Sequence, residues 1–243
     1  MITRILEYVF PRYCCLCGDP TTSTTNFCHG CLDDLPWVEN ACPRCATPLQ
    51  GPGVCGVCQR SAPFYTRSIA ALRYSWPVNR IVHAMKYQGQ LDAVDTLAAL
   101  MALKIEGQIA RIPQQLIPVP LHPRRLRTRG FNQSLELARR LANRFQVIAN
   151  SESVIRRVDT RPQTDFDGER RRRNMRDAFL ATGSIYCKHV AIVDDVMTSG
   201  ATCDELAKTL VGAGAIEVDV WAVARADFVP RLSTARTAGG PHQ

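Results

Sequence analysis

The sequence has no run of eighteen apolar residues, so no segment is long enough to cross a bilayer as a helix. Its first stretch, Met1 to Phe10, sets Arg4 and Glu7 among apolar residues and leads to no small-residue cleavage site. It is expected to form a short amphipathic helix, not an export signal, and the protein is expected to be cytoplasmic. A Gly-x-x-x-x-Gly-Lys-Ser/Thr loop is absent, which removes the P-loop as a way of holding nucleotide phosphates. Aromatic residues make up only 7 % of the chain. Near its basic clusters only Phe131, Phe166 and Phe179 are available to stack on bases. The stretch from Ser233 to Gln243 lacks any apolar pattern, and residues 229–243 are expected to be a disordered tail.

Basic charge outweighs acidic charge after residue 62. The formal net charge of the 243 residues is +8, yet residues 1–62 carry four Lys/Arg against five Asp/Glu. The excess therefore lies in the later chain, largely in Arg124 to Arg129 and Arg156 to Arg176. Phosphates, pyrophosphate or nucleic acid are the anions such a surface attracts.

Cysteine is abundant and concentrated. Eight of the eleven form Cys-x-x-Cys pairs: Cys14/Cys17, Cys28/Cys31, Cys42/Cys45 and Cys55/Cys58. Each such turn points two thiolates at one tetrahedral ion, and two turns close a structural zinc site. Nothing suggests export, so disulfides are disfavoured. The simplest pairing, in sequence order, makes two ribbons; a cross-braced pairing is the alternative. The intervening Gly, Pro, Thr and Asn are too polar for an unaided core, so metal must supply folding free energy there. Leu32, Leu35, Pro36 and Trp37 are expected to pack the ribbons onto a neighbour. Cys15, Cys187 and Cys203 read as small buried apolar residues outside the metal sites.

The later chain alternates strands and helices. Strands are expected at Ile69–Tyr74, Leu116–Pro120, Val190–Val193 and Glu217–Ala224, and helices at Pro77–Tyr87, Leu91–Ile109, Leu135–Phe145 and Cys203–Val211. In the last helix Leu206, Leu210 and Val211 are expected to share one side. Lys86 is compatible with facing either solvent or an anion. Leu121 to Ser134 reads as a basic loop, and residues 156–176, with eight Arg and four acids, as a mobile one.

The decisive stretch is 190–202: an apolar strand, then Asp194 and Asp195, then Thr198, Ser199, Gly200, Ala201 and Thr202 opening onto a helix. In an open α/β sheet, ligands bind outside the carboxyl ends of strands. Adjacent carboxylates accept hydrogen bonds from vicinal hydroxyls, and a small turn at a helix N-terminus suits a phosphate. A ribose 5-phosphate fits both requirements.

This stretch resembles the phosphoribosyl-pyrophosphate (PRPP) signature of type I phosphoribosyltransferases. Pro118-Val-Pro120-x-x-x-x-Arg125-x-x-x-Arg129-Gly-Phe-Asn-Gln-Ser134 is similar to the ComF family, and so is Arg157-x-x-Thr160-x-x-Gln163 followed by Arg170 to Arg173, Asn174 and Ala178-Phe179. With the cysteine pairs, the resemblance covers residues 1–225. It implies a double zinc-ribbon domain at 1–62 and, at 63–228, a type I phosphoribosyltransferase-like α/β domain, a parallel sheet with helices on both faces.

The resemblance also implies roles. Asp194 and Asp195 would hold the ribose hydroxyls of Mg²⁺-bound PRPP, and Thr198 to Thr202 its 5-phosphate. Arg124 and Arg125 suit its pyrophosphate by charge-assisted bonds. Arg170, Arg171, Arg172 and Arg173 are candidates for nucleic-acid phosphates. Purine-salvage members carry an Asp where Thr198 stands, so purine salvage is disfavoured. Two functions follow. One is PRPP binding coupled to single-stranded DNA handling in natural transformation, alongside DNA-uptake proteins. The other is an active transferase that releases pyrophosphate onto an unknown acceptor, with no catalytic residue assignable from sequence.

Overall fold

The computed structural model describes residues 12–23, 25–88, 91–159 and 175–227. The expected N-terminal helix, Arg170 to Arg173 and the tail therefore lie outside the described residues. At the N-terminal side are two short strands, β1 (Arg12–Tyr13) and β2 (Pro20–Thr21), and two single-turn helices, α1 (His29–Asp33) and α2 (Gly56–Arg60). Next come β3 (Arg67–Arg73), α3 (Val78–Gln88) and α4 (Leu91–Glu106). The chain continues through β4 (Gln115–Pro118), α5 (Pro123–Arg129), α6 (Gln133–Phe145) and β5 (Ile148–Ala149). It ends with β6 (Val154–Arg156), β7 (Phe179–Ala181), β8 (His189–Met197), α7 (Ala201–Gly212) and β9 (Glu217–Arg225).

Five strands form one sheet in the order β3-β9-β8-β4-β5, and every neighbouring pair is parallel. Both faces are buried, which is why β8 opens as a continuous apolar run; β9 alternates through Glu217 and Asp219 and is continuously apolar only from Val220 to Ala224. Ala191, Val193, Trp221 and Val223 face a layer containing α3, α4 and α6. Val190, Ile192, Val218 and Val220 face α7 and the antiparallel β6–β7 pair. Trp221, at 0 % exposure, is the largest side chain wholly within the core, and Phe145 packs 5.4 Å from it. Removing it would cost about 3–5 kcal/mol.

The sequence expectations shift at the ends of elements. The basic loop at 121–134 contains a helix, α5, because Pro123 sits at its first turn, His122 caps it and Gly130 closes it at φ 79°. Val211 is 42 % exposed, so α7 is anchored by Ala201, Cys203, Leu206, Ala207 and Leu210 without it. Cys15 is exposed and Cys187 half-buried; of the three bystander cysteines only Cys203 is buried.

The Cys-rich segment packs directly on the sheet. Cys14, Phe27 and Leu35 join the α3–α4–α6 layer, while Val38 and Ala46 join the α7 layer. Main-chain bonds from Val38 N to Ala71 O (3.0 Å) and from Arg73 N to Pro36 O (2.7 Å) stitch it along β3. Leu35 lies in the α3–α4–α6 layer with Leu32 and Trp37 packed against it, the neighbour expected for that turn, and Trp37 donates to Leu32 O at 3.0 Å.

Candidate functional site

Strand order decides where a ligand fits. From β4 the chain moves outward through α6 to β5, and from β8 it moves the other way through α7 to β9, with the two helices on opposite faces. The crevice at the carboxyl ends of β4 and β8 is thus a topological switch point. β4 ends with Pro118 opposite Val193, so Asp194 is the first β8 residue beyond the paired region. The strand does not stop at the acids, as its apolar run suggested. It stays paired with β9 to Met197, which holds Asp194 and Asp195 on rigid backbone.

Asp194 is surrounded by donors. Its Oδ1 accepts from Asp195 N at 2.9 Å and from Ser134 Oγ at 3.4 Å, and its Oδ2 from the Cys203 thiol at 3.7 Å. Burial, then the neighbouring Asp195 charge, push its carboxyl up to about 7 despite the opposing pull of Lys86. Asp195 pairs with Lys86 Nζ at 2.9 Å, both side chains under one-fifth exposed. Burial lowers the Lys86 pKa, but Asp195 outweighs it and the net shift is upward, so the ammonium stays charged. The two orientations open for Lys86 resolve to the acid pair. Burial and the Asp194 charge raise the Cys203 thiol well above its usual range, leaving a neutral donor.

The loop after β8 supplies the second half of the site. Gly200 caps α7 at φ 79°, a conformation that disfavours any side chain, and an added Cβ would lie 3.2 Å from the Tyr65 hydroxyl. Thr198 is exposed, Ser199 and Thr202 are half-buried, and Gly200 and Ala201 are buried. The first-turn N–H groups of a helix lack intrahelical acceptors, which makes this end a place for an anion. Phe64 N donates to Asp204 Oδ1 at 2.7 Å, and Ser199 Oγ accepts from Ala201 N at 3.4 Å.

Sequence reasoning missed the residue beneath this loop. Arg225, 4 % exposed at the end of β9, donates to Met197 O at 3.0 Å and to Thr198 O. The same side chain donates to Cys45 O at 2.9 Å and Thr47 Oγ1 at 2.9 Å in the second ribbon. Its distance in sequence from both partners left no local signal.

The arginines divide. Arg125 and Arg124 approach Asp159 at 3.4 and 3.8 Å, with Arg124 mostly exposed. Arg156, read as part of a mobile loop, lies instead in β6 with its guanidinium 5.6 Å from the centre of the Phe179 ring. Burial first, then the Arg125 charge, lower it to about 10, while Asp194 and Asp159 pull the other way. These four charged groups therefore share one field at the strand ends. The Gly-Phe-Asn-Gln-Ser segment has a structural reason: Asn132 caps α6 by accepting from Ser134 N and Leu135 N, which sets Ser134 beside Asp194.

The eight paired cysteines gather as Cys14, Cys17, Cys28 and Cys31, and as Cys42, Cys45, Cys55 and Cys58. This is the sequence-order pairing. Sulfur separations of 3.6 Å (Cys17–Cys28) and 3.5 Å (Cys45–Cys55) are far beyond a disulfide bond. They match the spacing of about 3.8 Å that four thiolates adopt around zinc at about 2.3 Å. At Cys14 and Cys42, main-chain N–H groups outweigh burial and bring the thiols down to about 6 and about 7. Both clusters thus fit structural zinc, with no open coordination position.

A double zinc ribbon domain family matches residues 5–59. The "DNA utilization protein YhgH" of Salmonella typhimurium is 32% identical over 223 residues, 88% of this chain and 97% of that protein. "Competence protein F" of Haemophilus influenzae is 30% identical over 218 residues, 86% of this chain and 94% of its own. The chain belongs to the ComF family. A more distant ComF relative, "Competence protein ComFC" of Streptococcus pneumoniae, is 28% identical over 46% of this chain and 48% of its own. Among the described residues of this ComF protein, no helix is long and apolar enough to cross a membrane.

Proposed function

We propose that this protein binds PRPP with Mg²⁺ at the ends of β4 and β8 and serves the handling of single-stranded DNA during DNA uptake. The observation that carries the PRPP reading is the acid pair, held on continuous strand, opening within a few residues onto the Gly200 cap of α7. Asp194 and Asp195 would accept from the ribose hydroxyls, and Thr198 to Thr202 would receive the 5-phosphate. Arg124 and Arg125, which meet Asp159 in this structure, would turn to the pyrophosphate. The DNA reading draws on the names carried by the relatives, "DNA utilization" and "Competence". Arg170 to Arg173 stay in it as phosphate contacts, and uptake proteins as partners. We also retain residues 1–62 and 63–228 as the two domains, the first supported by the ribbon match.

One feature of the site favours turnover as a second reading: the buried Asp194 carboxylate lies beside Asp195 N, Ser134 Oγ and the Cys203 thiol, at 2.9, 3.4 and 3.7 Å. A carboxyl at about 7 exchanges its proton readily near neutrality, which general acid–base chemistry would use. Such a transferase would mainly position PRPP and stabilise charge as pyrophosphate leaves ribose C1 and the acceptor bonds there. Pyrophosphate release from Mg-PRPP, screened across bases, amines and DNA, separates the two. Binding without release supports the binding protein, and acceptor-dependent release supports the transferase. Absence of both binding and release refutes both readings.

A further inference from the structure

We infer that the groove between the first ribbon and α3 is a base-stacking site for single-stranded nucleic acid. The inference rests on the DNA-handling reading and gives it a location that the basic clusters alone do not. The groove holds about 1160 Å³, more than a single small-molecule pocket usually does. Aromatic rings line it in spite of their exposure: Trp76 at 72 %, Tyr13 at 59 % and Tyr74 at 39 %. Three large rings left in water along one groove make a flat, apolar and polarisable surface, which successive bases can cover irrespective of sequence.

Polar features favour a nucleic acid over an aliphatic partner. Arg80 is exposed in the lining, where a phosphate would meet it; Asp92 is the lining's one carboxylate. The His83 ring, also in the lining, sits 4.6 Å from Tyr87, and the Arg129 guanidinium lies 5.6 Å from the centre of the Tyr87 ring. The aromatic row thus continues to the basic helix α5.

Fluorescence anisotropy with a labelled oligothymidine and a mixed-sequence strand, at three salt concentrations, tests this. Trp76→Ala and Tyr13→Ala should each weaken binding about 5- to 150-fold, from the usual worth of one stacked base. They should leave the salt slope and the melting temperature unchanged, because rings neutralise no phosphate and these are exposed. Trp76→Phe should recover most of the loss, and Arg80→Gln should flatten the slope by about 0.7. Absence of strand binding by the parent protein overturns the DNA reading together with the groove. Parent binding that the ring variants leave intact overturns the groove alone. A ring variant that converts a dimer to a monomer in sedimentation without changing DNA affinity also overturns it, since the occupant is then a second copy.

Discussion

Replacing Arg225 by Met should loosen the second ribbon and the loop after β8 together. The guanidinium is buried and bonds to the carbonyls of Met197, Thr198 and Cys45 and to the Thr47 hydroxyl. Met fills a similar volume but leaves those acceptors without their donor. Hydrogen bonds to a charged group are worth about 1.5–3 kcal/mol each, and the relief of burying a cation offsets part of their loss. A net loss of about 3–5 kcal/mol follows, which lowers the melting temperature by about 6–20 °C in a chain of this size. A loaded four-thiolate zinc centre carries net negative charge, so the arginine also balances the second ribbon; Arg225→Lys should therefore lose less than Arg225→Met. Hydrogen exchange read by peptide should rise at residues 42–47 and 197–203 in parallel. A melting temperature within about 2 °C of the parent, or faster exchange in only one segment, would refute the coupling.

Metal analysis of reduced protein should find two zinc ions per chain, and Cys28→Ser should lose one while the sheet still melts cooperatively. Zinc-free reduced protein would contradict this. Asp194→Asn should stabilise the protein above neutrality. The folded carboxyl titrates at about 7 against an ordinary 3.8, so the folded state binds the extra proton and parent stability falls as pH rises between those values. The variant lacks that slope, so denaturant melts should show it about 2–4 kcal/mol ahead above pH 7, with the gap closing at low pH. Parallel curves would refute the shift. Lys86→Met removes the nearest cation from the acid pair, so Asp194 should titrate above its parent value in a pH series followed by carboxyl carbon resonances; an unchanged value would contradict the assigned field.

The zinc clusters were legible because Cys-x-x-Cys spacing is local chemistry: one turn presents two thiolates whatever surrounds it. The parallel strands were legible too, since Val190–Val193 is apolar on both faces. Element ends were less so. The strand's continuation through Asp194 to Met197 depends on pairing with β9, which no local pattern encodes. Helix α5 was hidden because its residues are basic and exposed, so it carries no apolar stripe. Lys86, Cys203, Arg156 and Arg225 acquire their roles from contacts across the fold, and their neighbours in sequence say nothing of them. The aromatic groove escaped for the same reason. Tyr13 and Trp76 are far apart in the chain, and searching only beside the basic clusters passed over both.

The most direct test of the central claim is calorimetric titration of Mg-PRPP into the zinc-loaded protein and into its Asp194→Ala/Asp195→Ala variant, with circular dichroism as the check on folding. The account predicts a saturable heat with the parent and none with the variant, whose sheet stays intact because both carboxylates lie beyond the β4–β8 pairing. Equal affinity in parent and variant, or no heat with either, would contradict it.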